Sequence, residues 1–471
     1  MPSCLSPLGR RAVLLPAALI VLLLVPAVAI AHEAAGGLIL LLPRDFYTMG
    51  ATLAVAASFI LLAVVPQKPF HRIATATLSL FRMPERGGRS LSLASTALVL
   101  VLLIAGLTGA HDPLRNPLPL VLWSIGWISM TLACAFFGNL WAVLNPWTGL
   151  VDIVRSHFPP RMTLPARLGY LLAVSQFLIF IWVDLISPHS MDPDRLVLHL
   201  SLFWGFNFAG MVLFGKEDWC ARAEPLHVYF RLVSAIAPVG AGREGRVRLG
   251  FPGVHAISLP SLSQSGVAFV LLSLAAGTFD GWATTFRWMG ILGFNPLNYP
   301  GRSAVMWQNT LGLLAAWALV CILYHVCVRI GARLAGARDA EQELIGRLVY
   351  SILPISVAYH GSHFLTRLLV DYQYVYQVIS DPFALGWDLF GTAHYHTTTS
   401  FFSRPESVFV LWNIQTAIIT IGHVVGICMA HTIALDRLGS GRKAVVSQTL
   451  LALFMVGYTA MGLWLLGAPR I

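Results

Sequence analysis

The stretch SVFVLWNIQTAIITIGHVVGICMAHT, residues 407–432, decides the fold. It contains no Asp, Glu, Lys or Arg. At about 1.5 Å per residue, a helix of that length exceeds the roughly 30 Å hydrocarbon core of a bilayer. Yet it carries Asn413, Thr416, Thr420, His423 and His431. Polar side chains at membrane depth are costly, so they mark function by default.

Similar apolar runs recur on both sides of this stretch. The chain has 471 residues, 57% apolar and only 11% charged. A soluble domain carries charge on about a quarter of its residues. We therefore expect an all-α polytopic transmembrane helix bundle, residues 32–471 forming a single integral membrane domain. About ten spans are predicted, at 47–66, 92–110, 118–142, 167–187, 195–215, 262–278, 304–330, 344–370, 407–432 and 444–467. A transmembrane β-barrel is excluded, because its strands would alternate in polarity and these runs do not. The net charge of +10 reads as basic loops facing the cytoplasm, with the lipid bilayer as partner and no nucleic acid.

The first 31 residues read as a signal peptide. Arg10 and Arg11 supply the basic region, Ala12 to Val28 the apolar core, and Ala29-Ile30-Ala31 the small-x-small cleavage pattern. The alternative is an uncleaved first helix. Cleavage would expose His32, whose α-amine and imidazole suit a metal such as copper. The loops around 67–91, 143–166, 216–261, 331–343 and 433–443 hold most of the Lys and Arg and are expected inside. Both mature termini then face outward, toward the periplasm of a bacterial inner membrane. Loop 216–261 is cytoplasmic, with an amphipathic segment, Leu226 to Val239, expected on the membrane surface. Loop 371–406 is periplasmic.

Histidines and acids crowd around that outer loop. In helix 344–370, Ser356, His360, His363 and Arg367 share one face. His360 and His363, three residues apart, place their Cβ atoms about 5–6 Å apart, a spacing that can hold one divalent metal ion. In an extended segment, His394 and His396 would point to the same side and make a second chelate. The alternative for each is a hydrogen-bonding histidine between helices or in a loop. His363 is expected about 10 Å from the outer end of its helix and His423 about 24 Å, too far apart for one metal shell. His423 and His431, with Cys428, His325 and Cys321, form either a deep proton or metal path or ordinary bonds across helices.

Five strings resemble a family of bacterial polytopic membrane proteins known as fenitrothion hydrolases or fenitrothion hydrolase-like proteins. They are LWAVLNPW at 140–147, FDGW at 279–282, QNTLGLL at 308–314, SDPFALGWDLFGTA at 380–393 and GHVVGICMAH at 422–431. The resemblance covers Asp280, Asn309, His363, Asp381, Asp388, His423 and His431, but not His360, His394 or His396. It implies metal-assisted hydrolysis of an apolar organophosphorus triester. A divalent metal would lower the pKa of water and stabilise charge on phosphorus. His363, Asp381 and Asp388 would then be ligands or supporting acids. Asp280 would be the base, Asn309 would orient an oxygen, and His423 and His431 would act as deeper relay groups. The competing expectations are transport or handling of a metal ion such as copper, and an accessory role beside a second membrane subunit.

Overall fold

The computed structural model describes residues 44–82, 88–156, 162–241, 245–295, 298 and 301–468. The expected signal peptide and His32 lie outside the described residues. Eleven helices carry the architecture: α1 (Arg44–Val64), α2 (Gly88–Thr108), α3 (Pro117–Phe137), α4 (Leu171–Leu185), α5 (Pro193–Phe214), α6 (Pro225–Ser234), α7 (Gln264–Ala283), α8 (Met306–Leu334), α9 (Leu353–Ser380), α10 (Pro405–Leu438) and α11 (Gly441–Gly467). Among the described residues, eight helices are long and apolar enough to cross a membrane; α4 is apolar but shorter, and α6 and α9 are not among the eight. The all-α class therefore holds. A small antiparallel sheet, β1 (Thr77–Arg82), β2 (Val239–Ala241) and β3 (Arg246–Gly250) in the order β1-β3-β2, ties together two of the loops predicted to be cytoplasmic.

Helix ends follow the local chemistry. Asp192 accepts the Arg195 N–H at 3.2 Å and Pro193 opens α5. Ser263 caps α7 through the Gly266 N–H. α10 stops where Gly439 adopts φ 64°, a left-handed conformation that glycine takes without penalty.

Two helices set the frame of the candidate site. α9 and α10 approach closely because Gly422 and Gly426 leave no side chain between them. A Cβ on Gly422 would collide with Ala358 and the Pro354 carbonyl, and one on Gly426 would sit 2.7 Å from the Ser351 oxygen. This is the small-xxx-small packing that membrane helices favour. Polar groups lock the pair farther along: Gln415 Nε2 donates to the Ser362 carbonyl at 2.9 Å, and the Ser362 hydroxyl donates to the Gln415 carbonyl at 3.1 Å. Apolar side chains such as Leu98, Ile104, Leu319 and Ile322 are exposed on the helix exteriors, as a hydrocarbon solvent would require.

Three expectations change. The span predicted at 344–370 is a short helix, Glu341–Leu348, a 3-10 turn, Val349–Ile352, and then α9, which runs on to Ser380. Pro354 suits the first turn of α9, where its missing N–H costs nothing. The helix continues past Asp371 because that carboxylate is satisfied inside the bundle. Asp371 Oδ2 accepts from Ser124 Oγ at 2.5 Å and from Arg367 Nε at 3.1 Å. The loop predicted at 371–406 consequently begins at Asp381 and ends before α10. The amphipathic segment of loop 216–261 does not lie on a lipid surface. As α6 it is buried, with Tyr229 5.0 Å from the Trp127 ring and 5.3 Å from Phe177.

Candidate acid–base site

Asp280, near the C-terminal end of α7, and His363, on α9, meet inside the bundle. His363 Nε2 lies 2.7 Å from Asp280 Oδ2, and their side chains are only 9% and 15% exposed. A contact this short brings acid and imidazole within hydrogen-bond reach, and such bonds are strongest where one partner is ionised. It also fixes the imidazole. The His363 ring stacks on Tyr359, with centroids 5.6 Å apart and planes 16° from parallel.

A second acid and a second histidine stand beside this pair. A cavity of about 30 Å³ is lined by Asp184, Asp280, Ser273, Ser356 and His360, against a wall of Trp127, Phe177, Tyr229 and Phe364. That volume admits about one or two water molecules, and the lining offers the two or more polar partners a buried water needs. His360 is wedged between Trp127, 5.2 Å away, and Phe364, 4.9 Å away. Its Nε2 is buried without a hydrogen-bond partner. A buried polar nitrogen left unpaired costs about 1–3 kcal/mol, so a water there would remove a standing penalty. Ser273 and Ser356 hydroxyls pair at 3.2 Å on the same wall.

Asp184 sits near the C-terminal end of α4, held by Arg302. That guanidinium donates through Nη1 to the Asp184 carbonyl at 2.9 Å, and to Ser190 Oγ at 2.7 Å. Two helix C-termini, each with an acid, thus converge on two histidines. Helix C-termini carry partial negative charge, so the arrangement favours a proton or a cation.

The other sequence candidates fall elsewhere. Asn309 is buried, but its Oδ1 accepts from Trp288 Nε1 at 2.8 Å. Asp381 and Asp388 lie beyond the end of α9, about 26 Å of helix from His363. Asp381 closes a backbone turn, accepting from Leu385 N and Gly386 N at 2.9 Å each. Asp388 accepts from Ser380 Oγ at 2.8 Å and Ala393 N at 3.0 Å. Those bonds, from Ala393 first and Ser380 next, hold its carboxyl below the usual carboxylate range. Both acids therefore brace their own loop. His394 and His396 are exposed in the same loop.

His423 is buried, with Nδ1 on the Ile419 carbonyl at 2.9 Å. Its separation from His363 survives for a different reason than expected. α9 ends ten residues later than predicted, so both histidines are about equally far from the ends of their helices. The register separates them: Ser362 pairs with Gln415 and Ala358 faces Gly422, so His423 lies about 10 Å farther along α9 than His363. His431 bridges Gln67 Oε1 at 2.6 Å and Gln448 Nε2 at 2.7 Å, a bond across helices. Among the described residues, no three His, Cys, Asp or Glu side chains gather as a metal-ligand group.

Asp184 is the site residue that sequence reasoning left unassigned. The available signal was an acid inside the apolar run LLAVSQFLIFIWVDL, residues 171–185. No family model matches the chain, and no curated protein or solved structure is significantly similar to it.

Proposed function

We propose that the chain is a multi-pass inner-membrane protein of about ten spans, with both mature termini in the periplasm. Its Asp280–His363 pair performs acid–base chemistry on water inside the bundle. The reaction served is hydrolysis of an apolar ester that arrives from the bilayer. The observation that carries this reading is the 2.7 Å contact between His363 Nε2 and Asp280 Oδ2, the acid of the pair also lining a water-sized cavity. A general base must lie within hydrogen-bond reach of the water it activates, and a carboxylate on the far nitrogen stabilises the imidazolium that forms. His363 would take a proton from water as the oxygen bonds to the ester's phosphorus. The ester's leaving alkoxide or aryloxide would depart and receive that proton. The resemblance to fenitrothion hydrolases supplies the organophosphorus class of substrate. The expected divalent metal would have drawn on His360, His363, His394, His396, His423 and His431, which lie in four separate places: the His360–His363 turn, the loop after α9, His423, and His431 between Gln67 and Gln448. No step is therefore assigned to a metal.

A second reading has its own support. His360, Ser356, His423 and His431 are buried at successive depths along α9 and α10, and the cavity admits water but not a triester. A proton or small cation passing inward would use such a series. Reconstituted vesicles discriminate the two. Turnover of a p-nitrophenyl phosphotriester without acidification of the lumen supports hydrolysis. Lumen acidification under an imposed potential, lost in His423→Leu, supports conduction.

A further inference from the structure

A second cavity lies at the other end of α7, about 26 Å along that helix from Asp280. It measures about 410 Å³ and lies between α6, the segment leading into α7, and Tyr350. Arg231, Tyr170, Tyr350, Asn139, Ser234 and Ser263 contribute polar groups to its wall, and among the described residues no Asp or Glu lines it. Arg231 meets no carboxylate within ion-pair distance among the described residues. Its Nη2 donates to the Ala221 carbonyl at 2.8 Å and reaches the Tyr170 hydroxyl at 3.5 Å, while its Nε is buried without a partner. Arg248, whose charge bears on the cavity-lining His255, has no ion pair among the described residues either, and its Nε is buried without a hydrogen-bond partner. Partly buried guanidinium groups are normally paired, because removing charge from water is costly. Among the described residues, Arg347, which bears on Tyr350, is already engaged, pairing with Glu343 and Asp436.

We propose that this cavity binds a phosphate-bearing anion, with Arg231 as its counter-ion and the Tyr170 and Ser263 hydroxyls as further hydrogen-bond partners. The guanidinium fork matches phosphate oxygens, and hydroxyls complete the shell. The volume lies within the usual range for small-ligand sites and leaves room for a short organic part beside the phosphate. Both a free phosphate compound and the headgroup of an anionic phospholipid present this chemistry.

The full-length protein, in nanodiscs, separates the sources. In phosphatidylcholine discs, inorganic phosphate or glycerol 3-phosphate is titrated against the thermal unfolding midpoint read by tryptophan fluorescence. In a parallel arm, phosphatidylglycerol replaces part of the phosphatidylcholine with no phosphate added. A rise in midpoint in the first arm identifies a soluble anion, and a rise confined to the second identifies a lipid headgroup. Either supports the proposal if Arg231→Gln abolishes the rise and Arg231→Lys keeps part of it. Leu259→Trp fills the cavity while leaving Arg231 in place, and is expected to abolish the rise as well; it decides the matter if Arg231→Gln does not insert. No rise in either arm, or an equal rise in Arg231→Gln and Leu259→Trp, overturns the proposal.

Discussion

His363 on α9 and Asp280 on α7 join two helices through a 2.7 Å contact between Nε2 and Oδ2, with both side chains largely buried. Removing one partner of a buried pair leaves the other uncompensated, at a cost of about 3–5 kcal/mol. Asp280→Ala is expected to lose stability on that scale, and Asp280→Ala combined with His363→Leu to recover part of it. Unfolding of the four proteins in a double-mutant cycle measures the coupling. A coupling near zero would show that the two side chains do not stabilise each other.

The contact between α9 and α10 depends on two absent side chains. Gly422→Val drives methyl groups into Ala358 and the Pro354 carbonyl, so α10 must move away. Overpacking of this kind costs about 1–3 kcal/mol. Gly457, which has open space where its Cβ would be, is the control, and Gly457→Val is expected to stay near wild-type stability. Equal melting temperatures for the two variants would contradict the packing described.

Asp388 makes the loop after α9 sensitive to acid. Its folded pKa lies below the ordinary carboxylate range, because Ala393 N–H and the Ser380 hydroxyl bond the charged form. The bracing is therefore complete above that range and is lost as pH falls through the depressed folded value. Pepsin cleavage within residues 381–393 is expected to increase as pH drops below the usual carboxylate range. In Asp388→Asn the loop should be cut at a rate much less dependent on pH, after correction for pepsin's own profile. An identical pH dependence in both proteins would remove Asp388 from this role.

The proposed orientation is open to a labelling test. In a background lacking the native cysteines, a thiol at His394 should react with a membrane-impermeant maleimide in intact spheroplasts. A thiol at Arg338 should react only after the membrane is opened. Both positions are exposed in the fold. The reverse pattern would invert the topology.

How much of this was legible in the sequence follows the physics of each signal. Apolar length marks a span directly, and the helices expected at 92–110, 195–215 and 444–467 match α2, α5 and α11 to within about four residues at each end, while the one expected at 407–432 runs on to Leu438. The end of α9 was not legible. Asp371, Gln373 and Gln377 read as loop by polarity, yet Asp371 pairs with Arg367 and is held by Ser124 from a helix far away in sequence. That error in α9 also misplaced His363 by about 15 Å of helix. Spacing identified His360 and His363 as neighbours but could not say that each ring takes a different partner. Asp280 emerged from the resemblance alone, and its contact with His363 is a tertiary fact that no local pattern encodes.

The most direct test of the account is the rate of phosphotriester hydrolysis by purified, correctly inserted wild-type protein, His363→Gln and Asp280→Asn. Loss of a general base typically costs about 10²–10⁴-fold. The account predicts that kcat/KM falls on that scale in both variants, and that neither added divalent metal nor EDTA changes the wild-type rate. Wild-type rates in both variants, or a rate abolished by EDTA and restored by a divalent metal, would contradict it.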